Sequence, residues 1–125
     1  MISRILLNRL IITAGYYPVV LLDGPRQSGK TTLTKAAFPE KAYVTLEPLD
    51  TRDFARTDPR GFLSQHRHGA IIDAVQHVPE LLSYLQEDVD RDPTPGRFIL
   101  TGSQNLAISQ AVSQSLAGRS GLLHL

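Results

Sequence analysis

A three-layer α/β architecture, a parallel sheet with helices on both faces, is the fold the sequence predicts, and three observations predict it. Short, almost continuously apolar runs recur along the chain, as in YYPVVLL, AIID and RFIL. Strands that are apolar on both faces belong to sheets covered on both sides. Between those runs lie segments whose apolar residues return at helical spacing, and this alternation implies parallel strands joined by helical crossovers. The third observation is a glycine-bounded turn, GPRQSGKT, joining one apolar run directly to a helical segment.

The elements follow in order. Ile2, Ile5, Leu6 and Leu10 recur at helical spacing, so residues 3 to 15 are expected as an amphipathic helix ending near Gly15. Tyr17 to Asp23 is a strand buried on both faces, and Thr31 to Phe38 a helix stopped by Pro39. Ala42 to Leu46 alternates as a second strand, while Thr51 to Pro59 is charged, poorly patterned and expected as a connection. Arg60 to Arg67 is expected as a helix, after which Gly69 opens a third strand, AIIDAV. Val78 to Val89 forms a helix with Pro79 in its first turn, and DRDPTPG is a loop. RFILTGS is the fourth strand, Asn105 to Leu116 a helix, and GRSGLLHL the start of a fifth strand. The chain stops inside that apolar segment, and the expectation is of a partial unit, truncated at its C-terminus.

Composition narrows the function. At 125 residues the chain is one domain, and 42% apolar with 20% charged residues is enough to bury a core. Thirteen basic against twelve acidic residues give a net charge of +1, with no basic stripe for nucleic acid or a membrane surface. Without cysteine there are no disulfides, thiolate metal sites or cysteine nucleophiles, which fits a cytoplasmic protein. Arg4 and Arg9 interrupt the N-terminal apolar residues, which argues against a signal peptide, and no run is long enough to span a bilayer.

The turn carries the chemistry. Gly24, four residues, then Gly29-Lys30-Thr31 is the phosphate-binding-loop pattern, with the strand before it and the helix after it that the pattern requires. Glycines let backbone N–H groups turn inward around a phosphate, and the following helix presents its positive end to the same anion. The expected contact set is Gly24, Pro25, Arg26, Gln27, Ser28, Gly29, Lys30, Thr31 and Thr32, with Arg26 either a phosphate contact or merely exposed. Lys30 is expected at the β- and γ-phosphates of ATP and the Thr31 hydroxyl on Mg²⁺. Asp73 ends an apolar strand, where a carboxylate can hold Mg²⁺ beside the loop or simply cap a turn.

Position 74 weighs against turnover. Hydrolytic phosphate-loop enzymes of this class follow the aspartate with a glutamate that deprotonates water, and this chain has Ala74. Loss of a general base costs roughly 10²–10⁴-fold in rate. Gln76 and Glu80 lack the expected spacing. Ser103 and Gln104 close the fourth strand, as γ-phosphate contacts or as a cap for the next helix. Arg119 is a candidate finger toward a neighbouring subunit's nucleotide, or a surface arginine. His66 and His68 do not share a helical face, and no zinc set completes around them. A guanine-reading Asn/Thr-Lys-x-Asp pattern and an LSGGQ-like motif are both missing.

Together, VLLDGPRQSGKTTL, AIIDAVQHVPELL, RFILTGSQN and SLAGR resemble the AAA+ ATPase domain of a widespread group of prokaryotic ATP-binding proteins that are themselves similar to archaeal ATPases. The resemblance implies an ATP site with Mg²⁺, a sheet in the order 5-1-4-3-2, and assembly into oligomers. By position it makes Lys30 and Thr31 the phosphate and Mg²⁺ residues, Asp73 the second acidic residue, Ser103 or Gln104 the sensor and Arg119 the arginine. It also implies a lid and a C-terminal domain beyond this chain. The leading expectation is an ATP·Mg²⁺-binding domain with weak hydrolysis. Behind it stand a nucleotide-gated module that binds a protein partner, and a small-molecule kinase with a lid of Arg52, Arg56 and Arg60.

Overall fold

In a computed structural model the first helix, α1 (Arg4–Ala14), begins where the Ser3 hydroxyl accepts the Leu6 N–H at 3.3 Å. The structure describes residues 3–25, 28–103 and 106–125, and for residues 106–109 and 113 the backbone alone. After α1 come β1 (Val19–Gly24), α2 (Lys30–Ala37), β2 (Tyr43–Thr45), α3 (Leu49–Thr57) and α4 (Pro59–Ser64). The chain continues through β3 (Ala70–Asp73), a 3₁₀ turn at Val75–His77, α5 (Leu81–Arg91), β4 (Phe98–Ser103), α6 (Leu106–Ser115) and β5 (Ser120–His124).

The described strands form one five-stranded sheet, ordered β2-β3-β4-β1-β5, which is the expected order in reverse. Each pairing is parallel, with Val19 opposite Phe98 and Ser120, Ala70 opposite Phe98, and Tyr43 opposite Ile71. Topology then places the helices. The β1-to-β2 crossover steps across the sheet in one direction, and every later crossover steps back. Right-handed crossovers travelling in opposite directions lay their helices on opposite faces. Accordingly Val20, Leu22, Ile71 and Ile99 pack under α1 and α2 with Leu10 and Leu33. Val19, Leu21, Ile72 and Leu100 pack on the other face under α3 to α6, against Phe62, Leu85 and Val112. Strand β1 is buried at every position: Val19 to Leu22 fill both faces, and the Asp23 carboxylate is paired with His124.

Several boundaries differ from the sequence reading, and the helix expected over Arg60 to Arg67 ends at Ser64. The segment expected as a connection, Thr51 to Pro59, is mostly the helix α3, whose only buried residue is Ala55. Its apolar side, Phe54 and Ala55 against the core, is one-sided but short, and the charges around it make the segment polar overall. The third strand ends at Asp73, because Ala74 takes a left-handed conformation (φ 63°, ψ 45°) and turns the chain into the 3₁₀ segment. The following helix begins at Leu81, three residues later than its pattern suggests.

At the strands' N-terminal edge, Gly69 (φ 98°) lies so close to the Arg97 carbonyl that a Cβ would collide with it. The Ala70 N–H donates to that carbonyl at 3.0 Å. Arg97 itself is buried. Its guanidinium donates to the carbonyls of Asp88 (3.2 Å), Asp92 (2.9 Å) and Arg67 (2.9 Å), and to the Asp88 carboxylate at 3.1 Å. No helix among the described residues is long and apolar enough to cross a membrane.

Candidate functional site

Because the strands are parallel, Gly24, Thr45, Asp73 and Ser103 all finish at one edge of the sheet. In open parallel sheets ligands bind outside that edge, where the crossovers change direction. A cleft of about 570 Å³ lies there, within the range of small-molecule sites. Its floor is Ser28, Gly29, Lys30, Thr31 and Thr32. Its wall is Asp73, Ala74, Gln76 and His77, with Glu47 from β2's side and Thr101, Gly102 and Ser103 from β4.

Gly29 stands at the start of α2 with φ 87°, a conformation that glycine adopts at little cost, and a Cβ there would meet open space. No side chain caps α2, so its first-turn N–H groups face the cleft end without a side-chain acceptor. Lys30 folds back over its own loop, Nζ donating to the carbonyls of Gly24 (2.9 Å) and Pro25 (2.7 Å) and to Ser28 Oγ (3.4 Å). Burial pushes the Lys30 ammonium below its ordinary pKa, and the Asp73 and Asp23 carboxylates oppose that shift. An incoming phosphate would give this cation the anionic acceptor that carbonyls do not supply.

Asp73 is held by hydroxyls from three elements. Thr31 Oγ1 on α2 donates to Oδ2 at 2.9 Å, and Tyr43 Oη on β2 donates to the same oxygen at 2.6 Å. Thr101 on β4 donates to Oδ1 and accepts the Ala74 N–H at 3.1 Å. Burial alone would raise the Asp73 carboxyl, but the bonds from Thr101, Tyr43, Thr31 and the Ala74 amide outweigh it and hold the carboxyl below its ordinary value. The same contact, with burial leading, pushes the Tyr43 phenol up to about 12. The carboxylate is therefore ionised and the phenol neutral across the physiological range.

Among the described residues no group of three or more His, Cys, Asp or Glu can hold a metal by itself. The Thr31–Asp73 pair offers one hydroxyl and one carboxylate. That donor set fits Mg²⁺, which takes one or two carboxylates and completes its octahedron with water and substrate phosphates.

The sequence-derived candidates separate clearly. Ser28 to Thr32, Asp73 and Ser103 meet at the cleft, while Gly24 and Pro25 contribute the carbonyls that receive Lys30. Arg26, Gln27 and Gln104 lie outside the described residues. Arg119 lies just before β5, at the opposite edge, where it pairs with Asp90. Five strand residues, about 16 Å, separate that edge from the loop, so Arg119 does not reach the cleft of its own chain. The Ala74 methyl lines the cleft where a proton acceptor was expected. Glu80 is paired with Arg56 at 3.0 Å, and Gln76 Oε1 accepts the Ser103 N–H at 3.3 Å. Arg52, Arg56 and Arg60 are engaged with the 46–47 backbone, Glu80 and Glu87. None of the three lines the cleft.

Tyr43, Glu47, His77 and Thr101 were not singled out from sequence. A signal existed for Thr101, a polar residue in an otherwise apolar strand and fully buried. None existed for Tyr43, whose reach to Asp73 depends on β2 lying beside β3.

A family model described as an AAA domain matches residues 16–125. The chain belongs to the AAA domain family. It is an AAA-type nucleotide-binding domain. Two uncharacterised mycobacterial proteins, Mb2031c of Mycobacterium bovis and Rv2008c of Mycobacterium tuberculosis, are each 40% identical over 111 residues. The match covers 86% of this chain and 25% of each relative, so the chain spans about a quarter of their length. Among solved structures, a signal transduction ATPase with numerous domains and a tetratricopeptide repeat sensor from Pyrococcus horikoshii matches all of this chain and 23% of its own, at TM-score 0.59 and 16% identity. C. elegans PCH-2 matches over 99% of this chain and 42% of its own, at TM-score 0.54 and 16% identity. At that identity the likeness is one of fold.

Proposed function

We propose that this domain binds ATP with Mg²⁺ at the C-terminal edge of the sheet and turns it over slowly. The observation that carries the reading is the direct bond between Thr31 on α2 and Asp73 on β3, residues 42 apart in sequence. It brings the hydroxyl and carboxylate expected on Mg²⁺ to one point beside the phosphate loop. Gly29 and the first turn of α2 would receive the phosphates, with Lys30 leaving its carbonyls for the β- and γ-phosphate oxygens. When bound, Mg²⁺ supplies charge neutralisation between those phosphates. Thr31 and Asp73 would hold it, and Ser103, on the same cleft, would contact the γ-phosphate. Turnover is slow because the residue after Asp73 is Ala74, which cannot accept a proton, so a base must come from elsewhere in the cleft.

The alanine also supports a second reading, in which bound ATP sets a conformation that a protein partner or a second copy of the chain reads without cleavage. Calorimetric titration of Mg·ATP into the wild type and Lys30→Ala tests the first reading. Saturable binding lost in the variant is the expected result, and equal affinities in the two would overturn it. Partner capture that depends on ATP but not on cleavage would single out the second.

A further inference from the structure

Position 74 has no proton acceptor, but the neighbouring strand end does. The ladder pairs Thr45 with Asp73, and the Leu46 N–H then donates to the Asp73 carbonyl at 2.9 Å. Both strands leave the sheet there, so Glu47 follows the last bonded residue of β2 just as the left-handed Ala74 turn follows β3. Glu47 lines the same cleft as Lys30, Thr31 and Ser103.

Its backbone is fixed. The Glu47 N–H donates to Thr45 Oγ1 at 3.2 Å, while Arg52 donates to the carbonyls of Leu46 (3.1 Å) and Glu47 (2.9 Å). Its carboxylate has an orienting neighbour, His77 Nε2, at 3.4 Å from Oε2. His77 reaches that place because Ala74 turns left-handed, which brings the 3₁₀ segment across the end of β3. Arg56 fixes this segment from behind through the His77 carbonyl. Glu47 and His77 are thus both anchored from α3, through Arg52 and Arg56, and both line one cavity. Glu80, Asp50 and Asp53 do not line that cavity.

We propose that Glu47, oriented by His77, is the general base of this site. The assignment rests on the ATP-binding reading above. A water between the Glu47 carboxylate and the γ-phosphorus forms the new O–P bond as its proton passes to Glu47. The bond from the γ-phosphorus to the β–γ bridging oxygen breaks, and its electron pair leaves on ADP. Inorganic phosphate and ADP depart, and Glu47 returns its proton to solvent. His77 is a positioning residue that holds the carboxylate's rotamer.

The test uses the full chain with wild type, Glu47→Gln, His77→Gln and Ala74→Glu combined with Glu47→Gln. Three quantities are read: Mg·ATP affinity, turnover, and the identity of the nucleotide recovered from the protein after incubation with ATP. Glu47→Gln is expected to bind within about twofold of wild type, to turn over at least about tenfold more slowly, and to retain ATP where wild type retains ADP. His77→Gln is expected to lower kcat by a smaller factor with affinity unchanged, and the added glutamate in the double variant to restore turnover. Glu47→Gln turning over at the wild-type rate, or losing affinity in parallel with rate, would overturn the assignment. So would a wild type that binds ATP and never cleaves it, which leaves the binding reading standing. A wild type that does not bind removes both.

Discussion

The two edges of the sheet use the same kinds of residue to opposite ends. At the N-terminal edge, the Arg97 guanidinium is enclosed and donates to three carbonyls and the Asp88 carboxylate. At the C-terminal edge, Lys30 reaches only neutral oxygens of its own loop, and Asp73 gathers hydroxyls rather than a cation. The first edge has its charges matched within the fold. At the second edge, a cation and a carboxylate stand on either side of an open cleft, each held by uncharged groups that a ligand can displace. Structural charge is paired where water is excluded, and the C-terminal edge leaves charge that a ligand could pair.

The contrast is sharpest at Arg97. Arg97→Met is expected to cost about 3–5 kcal/mol, since it leaves the carbonyls of Arg67, Asp88 and Asp92 without their buried donor and the Asp88 carboxylate with Arg91 alone, while nucleotide affinity of the folded protein stays unchanged. Chemical denaturation and titration below the transition check both halves. An equal loss of affinity would mean that the two edges are coupled. Lys30→Ala is expected to do the reverse. It should lose about a hundredfold in Mg·ATP affinity, about 2.7 kcal/mol, with little change in the nucleotide-free unfolding midpoint.

Smaller effects sharpen the picture around Asp73. Thr101→Val removes a buried donor to Oδ1 and the acceptor of the Ala74 N–H, and is expected to cost about 1–2 kcal/mol and to raise the Asp73 pKa. Because the native carboxyl titrates below its ordinary 3.8, its contribution is complete above about pH 5 and lost as pH falls through the native value. Wild-type melting temperature should therefore fall more between pH 5 and pH 3 than that of Asp73→Asn, and parallel profiles would contradict the hydrogen-bond account. Tyr43→Phe is expected to have the smallest effect, under about 1 kcal/mol. Its phenol, raised from 10.0 to about 12, contributes stability below pH 10 that is lost as pH rises through about 12. The latest phenolate step in an absorbance titration should vanish in this variant.

Much of this fold was legible because its signals are local. The unbroken apolar run of β1, the glycines of the loop and the carboxylate closing β3 each announce a position in an open parallel sheet. The sheet order came from resemblance, and the register confirms it. What escaped was either too polar overall to read as a buried helix or dependent on strand adjacency. Helix α3 turns only Phe54 and Ala55 to the core among many charges. Tyr43 reaches Asp73 and Glu47 lines the cleft only because β2 docks beside β3, and neither side chain carries a mark of that in its own segment. Arg119, in SLAGR just before the last strand, lies at the edge away from the cleft, and that edge follows only from the direction of β5.

The central claim is that Asp73 and Thr31 couple Mg²⁺ to nucleotide at this edge. The most direct test measures ATP affinity with Mg²⁺ and with chelator in wild type, Asp73→Asn and Thr31→Ala. The account predicts that Mg²⁺ tightens ATP binding in the wild type and that each substitution removes at least about tenfold of that gain, about 1.4 kcal/mol. The same Mg²⁺ gain in all three proteins, or no ATP binding by the wild type, would contradict it.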